Sequence, residues 1–224
     1  MSASPQIRQT FRVGRQPYPW AGPVSASTAL ATASTFPQVE AASSQAARES
    51  TRVWLDRVVI GLNLCPFAKA VQSKAQIRYV VSEARDVSAL REDLTRELLA
   101  LDSSDPEQID TTLLIHPYVL GDFLDYNDFL DEAEAVLESL DLVGELQIAT
   151  FHPQYQFAGS EPDDISNYSN RSPYPMLHLL REASITRALE SFADPSRIFE
   201  GNIERLKALG HDGLRRVAEG TKEP

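Results

Sequence analysis

The 224-residue chain carries 32 acidic and 21 basic side chains, a formal charge of -11, with 42% hydrophobic composition. This supplies apolar material for one sizeable core, and its field repels duplex nucleic acid and anionic membrane, because a phosphate binder needs basic groups to displace condensed counterions. The single cysteine, Cys65, excludes an intramolecular disulfide, a four-cysteine zinc site and an iron–sulfur cluster held by this chain alone, and no apolar run approaches the roughly 18 residues of a membrane-spanning helix.

Residues 1–49 read as a disordered tail or a transit segment. The first 39 residues hold Arg8, Arg12 and Arg15 but no acid, and the Ser/Ala/Thr/Pro bias continues beyond Glu40. Such a stretch buries too little apolar surface to offset the entropy of ordering. Scattered arginine without acid also fits an organelle transit peptide, which would direct the chain to a plastid stroma; otherwise it stays cytoplasmic. A single α/β domain is expected over residues 50–217, followed by a flexible tail at 218–224.

Ser50 or Thr51 is the expected cap of a helix through RVWLDRVVIGL, which Gly61 loosens or ends. Pro66 then pushes Cys65 toward extended backbone. The first strand is expected over Gln76–Val81. Asp86 caps a helix whose Leu90, Leu94, Leu98 and Leu101 form an apolar stripe, and TTLLIH from Thr111 to His116 is the second strand. A β–α–β unit of this length points to a parallel crossover. A helix over Asp128–Leu140 and a third strand, ELQIATF, repeat the alternation. The expected fold is therefore an open, mainly parallel small sheet packed by helices.

A long irregular loop, QYQFAGSEPDDISNYSNRSPYP, follows the third strand, and loops of this length often serve binding. Ser172 and Pro173 match the N-cap and first position of a helix running to about Glu190. Asp194 and Pro195 repeat the signal before a last helix. Its buried face is expected from Ile198, Phe199, Ile203, Leu206 and Leu209, and Gly210 ends it.

Three of the four histidines carry the chemical interest. His116 and His152 each end an expected strand and precede proline, a position that faces the ligand crevice in open α/β sheets. His178 and Glu182, four apart on the expected helix, would share a face. His152, His178 and Glu182 match a common catalytic zinc set with a water position free, to which His116, Asp163 or Asp164 can add. The expected cofactor is a divalent metal, zinc or manganese. The opposing reading makes His178 a packing residue paired with Glu182, and gives His152 the task of orienting the loop.

Arg171 directly precedes the expected cap at Ser172, where free backbone N–H groups favour a small anion that its guanidinium can grip bidentately. Asn167 and Asn170 add polar contacts, and Arg181 lies further along. Alternatively, Arg171 bonds acidic residues such as Asp163 or Asp164 and staples the loop. Tyr155, Phe157, Tyr168 and Tyr174 can wall a planar ligand or pack as the loop's own core. Cys65 can be a nucleophile where a positive group lowers its pKa; a buried structural thiol is the simpler reading. No G-x-G-x-x-G follows the first strand and no G-x-x-x-x-G-K occurs, which weakens the case for a dinucleotide enzyme or nucleotide triphosphatase.

The words GLNLCPFAK, IHPY, FHPQYQF and NYSNRSPYPMLHLLRE together resemble the domain-of-unknown-function family DUF1415. The resemblance spans most of residues 50–210. It implies a bacterial and plastid-associated family of small soluble proteins, with Cys65, His152, Asn170, Arg171, Pro173, His178, Arg181 and Glu182 as candidate family-level site residues. The functional expectation is a protein binding a small polar or anionic metabolite, in its sharpest form a metal-dependent hydrolase. There His152, His178 and Glu182 hold the metal, and Cys65, His116 and Arg171 are the catalytic candidates. The alternative is a noncatalytic ligand-binding or protein-interaction module; no nucleic-acid or membrane partner is expected.

Overall fold

The computed structural model describes residues 43–190 and 196–221. Residues 1–42, Asp194 and Pro195, and residues 222–224 lie outside that range, with the expectations that fall on them. Helix α1 spans Ser44–Trp54, and its cap is Ser43, whose hydroxyl accepts the Ala46 N–H, rather than Ser50 or Thr51. Thr51 is buried inside the helix and donates to the Ala47 carbonyl. The helix widens into a π-helical segment, Leu55–Ile60, that ends at Gly61. A Cβ at position 61 would lie 2.1 Å from the Arg57 carbonyl oxygen, so glycine is required there.

Short α2 (Ala68–Ser73) leads to strand β1 (Ile77–Val81). Helix α3 (Val87–Ser103) starts at Asp86, whose carboxylate accepts the Ala89 N–H, and buries Leu90, Leu94, Leu98 and Leu101 as expected. After β2 (Thr111–Ile115) comes α4 (Phe123–Ser139), capped by Asp122 ahead of the anticipated Asp128. Strand β3 is Leu146–Phe151, and the loop beyond it contains one 3-10 turn, Ile165–Ser169.

The segment after the loop departs most from the helix expected over Ser172–Glu190. Met176–Arg181 is a strand, β4, and only Glu182–Leu189 is helical, as α5. Pro175 disfavours helical backbone at Tyr174, and the run MLHLLR suits a central strand, buried on both faces and therefore apolar without alternation. Ser172 does not cap a helix; its hydroxyl donates to the Tyr174 carbonyl. The last helix, α6 (Ser196–Glu219), is broken at Gly210 (φ 65°) and resumes, so that Leu206 and Leu214 are both buried. Phe199, expected inside, is exposed.

The sheet order is β1-β2-β4-β3, with β1–β2 parallel and β4 antiparallel to both neighbours. The sheet is thus open but mixed and mostly antiparallel, which corrects the mainly parallel expectation. Strands β1, β2 and β3 do run in one direction, as the helix–strand alternation suggested. The unrecognised β4 enters between β2 and β3 and reverses two of the three ladders.

Alternation of side chains along the strands divides the core in two. Helices α3 and α4 cover one face, over Leu114, Leu177 and Leu179. Helix α1, the π-helical segment and α6 cover the other, over Leu113, Ile115 and Met176. Among the described residues, no helix is long and apolar enough to cross a membrane.

Candidate functional site

Register places Ile115, Met176 and Phe151 in one row at the sheet's end. His116 and His152, each one residue beyond, therefore flank the entry to β4. Both are fully buried, and their rings pack on Tyr126 of α4, with centroids 5.8 and 5.1 Å away. His116 Nδ1 lies 3.1 Å from the Val119 carbonyl and donates to it. His152 Nε2 donates to the Leu120 carbonyl at 3.2 Å, while Nδ1 accepts the Gln154 N–H at 3.0 Å. Burial pushes both imidazoles down to about 4, so they are neutral at pH 7. The Tyr126 hydroxyl completes the cluster, donating to the Met176 carbonyl and accepting the Phe151 N–H. These groups knit strand ends to loops.

The long loop is equally self-contained. Asn167 is fully buried; its Oδ1 accepts the Phe157 N–H and the Ser160 hydroxyl, and its Nδ2 donates to the Glu161 carbonyl. Arg171 donates from Nε to the Tyr155 carbonyl at 3.1 Å and from Nη2 to the Pro162 carbonyl, with its guanidinium 4.4 Å from the Tyr168 ring centre. It staples the loop, but through carbonyls rather than Asp163 or Asp164. The Asp164 carboxylate instead accepts the Ser166 N–H, which holds its pKa below the usual value. Tyr155, Tyr168 and Tyr174 are buried; Tyr168 and Tyr174 belong to the core on the α1 side, and Tyr155 packs on Phe123 and Phe157. Arg181 is also committed, donating to the Ser104 and Leu101 carbonyls at the end of α3, where a cation is favoured.

The expected metal centre does not assemble. His178 lies in the middle of β4, opposite Leu113 and Ala149, instead of on a helix. Glu182 opens α5, and its N–H donates to the Glu145 carbonyl. The two do not share a helix face, and both ring nitrogens of His152 are already bonded. Among the described residues, no three His, Cys, Asp or Glu side chains are grouped to hold a metal ion. The His152–His178–Glu182 site, the zinc or manganese cofactor and the hydrolase built on them are overturned.

What the sequence reading missed is a cavity of about 720 Å³ between the sheet and the helices on the α1 side. Its wall includes Leu113 of β2, Ala149 and Phe151 of β3, and Leu55 and Val59 of the π-helical segment. Four of the predicted site residues, Cys65, Asn170, His178 and Arg181, line this cavity, and Thr111 joins them. Burial pushes the Cys65 thiol up, partly offset by the Phe67 and Ala68 N–H groups directed at it. At neutral pH it is a thiol, not a thiolate.

His178 Nε2 is 2.7 Å from Thr111 Oγ1, and that same hydroxyl donates to the Leu179 carbonyl at 2.6 Å. A threonine hydroxyl has one proton. With that proton directed at Leu179, the Nε2 contact requires an N–H on the histidine. Burial pushes the ring down to about 4, so it carries that single proton at pH 7.

Strand alternation was the one signal that pointed here, since every second residue of β4 faces the same layer. That signal is legible only once β4 is recognised as a strand. No curated protein and no solved structure matches the chain. The family model for DUF1415, described as proteins of unknown function, matches residues 46–216, and the chain belongs to that family.

Proposed function

We propose that this domain is a noncatalytic binding module for a small molecule with an apolar body, held in the cavity between β2–β4–β3 and the helices above. The observation that carries the reading is the cavity itself. At about 720 Å³ it falls within the range of ligand pockets, roughly 300–1,000 Å³. Its wall presents mainly apolar surface, with Gln76, Thr111, His178 and Asn202 and the charged Lys74, Glu107 and Asp110 set among it, a composition that favours an apolar ligand body oriented by polar contacts. The protein-docking form of the idea needs an exposed aromatic loop, whereas Tyr155 and Tyr168 are buried.

N-phenyl-1-naphthylamine, an uncharged fluorescent probe, tests the proposal. Saturable enhancement near one equivalent is expected, weakened at least tenfold by Ala149→Phe, which fills the cavity from β3. Bound probe should also slow alkylation of Cys65 by N-ethylmaleimide. Absence of saturable binding, or binding indifferent to Ala149→Phe in a folded variant, overturns the proposal.

A further inference from the structure

We infer that the ligand of this cavity presents a hydrogen-bond donor, an O–H or N–H, to Nδ1 of His178; the inference rests on the binding role just proposed. The hydroxyl of Thr111 fixes the tautomer of His178. Its only proton is directed to the Leu179 carbonyl, so Thr111 Oγ1 meets His178 as an acceptor, and the imidazole proton resides on Nε2. The other ring nitrogen, Nδ1, then carries a bare lone pair. It makes no hydrogen bond among the described residues and is not one of the unpartnered atoms sealed inside the protein. His178 is half-buried and lines the cavity, so the open side of its ring is toward that space.

The uncharged polar neighbours on the wall differ. Asn170 donates to the Thr150 carbonyl and accepts from Ser169, and Asn202 donates to the Leu64 carbonyl. Gln76 donates to the Pro106 and Glu107 carbonyls. His178 Nδ1 is therefore an acceptor that the protein's own hydrogen bonds leave over, set on the sheet wall between Leu113 and Ala149.

An acceptor in an apolar cavity discriminates by what it leaves unpaired. A ligand with a matching donor makes a bond in low dielectric, whereas an ether or hydrocarbon of the same shape strips water from Nδ1 and returns nothing. The chemical class that fits is an alcohol, phenol or N–H heterocycle with an apolar remainder. An ionised carboxylate finds no proton to accept at Nδ1 in this tautomer, so it does not match this position.

Isothermal titration with 4-propylphenol and its methyl ether, 4-propylanisole, on the full chain tests this directly. The phenol is expected to bind roughly five- to tenfold more tightly, with the preference collapsing toward parity in His178→Leu. Should that variant fail to fold, the wild-type protein still decides. Two-bond ¹H–¹⁵N correlation should find the proton of His178 on Nε2, and the phenol should shift Nδ1 more than the ether does.

Equal binding of the two compounds, both lost in Ala149→Phe, overturns the donor requirement while leaving the cavity's binding role intact. Binding of the ether without binding of the phenol does the same. Failure of all three compounds to bind removes both the inference and the role beneath it.

Discussion

Two histidine environments sit on the same sheet and differ in how much of their chemistry is already committed. At the strand ends, His116 and His152 are sealed against Tyr126 and bonded to the carbonyls of Val119 and Leu120. In mid-sheet, His178 holds one partner, Thr111, and faces a cavity. The sequence words around these residues look equally suggestive, yet the nitrogen left over at the strand ends, His116 Nε2, is sealed inside the protein, whereas the one left over on His178 belongs to a ring that lines a cavity. A polar residue at a strand end marks a ligand crevice only when the loops leave it free, and here the loops close over it.

The largest effect that sharpens this contrast is on stability against pH. His116, His152 and His178 are each pushed down to about 4 by burial, from an ordinary value of 6.5. Between those limits the unfolded chain binds more protons than the folded one, so stability falls as pH drops from about 6.5 toward 4. Urea unfolding at pH 7 and pH 5 should differ by on the order of 4–6 kcal/mol, about 1 kcal/mol per pH unit for each histidine. A flat profile would contradict the neutral, buried assignment.

Next in size, His152→Ala should lose roughly 2–4 kcal/mol, because it orphans the Leu120 carbonyl and the Gln154 N–H and opens a hole beside Tyr126. His178→Leu should stay within about 1 kcal/mol of wild type, since it gives up one hydrogen bond and gains apolar surface on an apolar wall. Equal losses at both positions, measured by urea titration at pH 7, would erase the distinction between the two regions.

Smaller again, Arg171→Met should cost about 1–2 kcal/mol by freeing the Tyr155 and Pro162 carbonyls. Limited proteolysis should then cut faster within residues 156–170, while naphthylamine binding per folded molecule stays unchanged. Smallest of all, Glu182→Ala should shift stability by no more than about 0.5 kcal/mol. A chelator should leave the melting temperature of the wild-type protein where it was; a drop would restore the metal reading.

Most helix and strand positions followed from local pattern. The stripe Leu90–Leu94–Leu98–Leu101 behind Asp86 left little choice for α3, and the apolar runs of β1, β2 and β3 were bounded clearly by turns or acidic loops. Strand β4 was hidden because five of the six residues in MLHLLR–preceded by a serine–proline pair–are apolar or long-chained in a way that suits either a helix or a doubly buried strand. Misreading it moved His178 from a sheet face to a helix face, and with it went the metal centre.

The start of α4 was placed late, at Asp128, for a similar local reason, since Asp122, Asp125 and Asp128 all precede apolar or aromatic residues and only Asp122 accepts the first-turn N–H groups. The cavity was out of reach for another reason. Cys65, Thr111, Ala149 and His178 come from four separate stretches, and no spacing in the chain announces that they share one wall. Arg171, which looked most like an anion clamp, proved to be bound to backbone carbonyls that no side-chain pattern reveals.

The most direct test of the cavity as the functional centre is an amide ¹H–¹⁵N NMR titration of the full chain with 4-propylphenol. Saturable shifts should concentrate at residues 64–68, 111–113, 149–151 and 177–179, the stretches that line the cavity or adjoin its wall. Shifts confined to the 155–171 loop, or none that saturate, would contradict it.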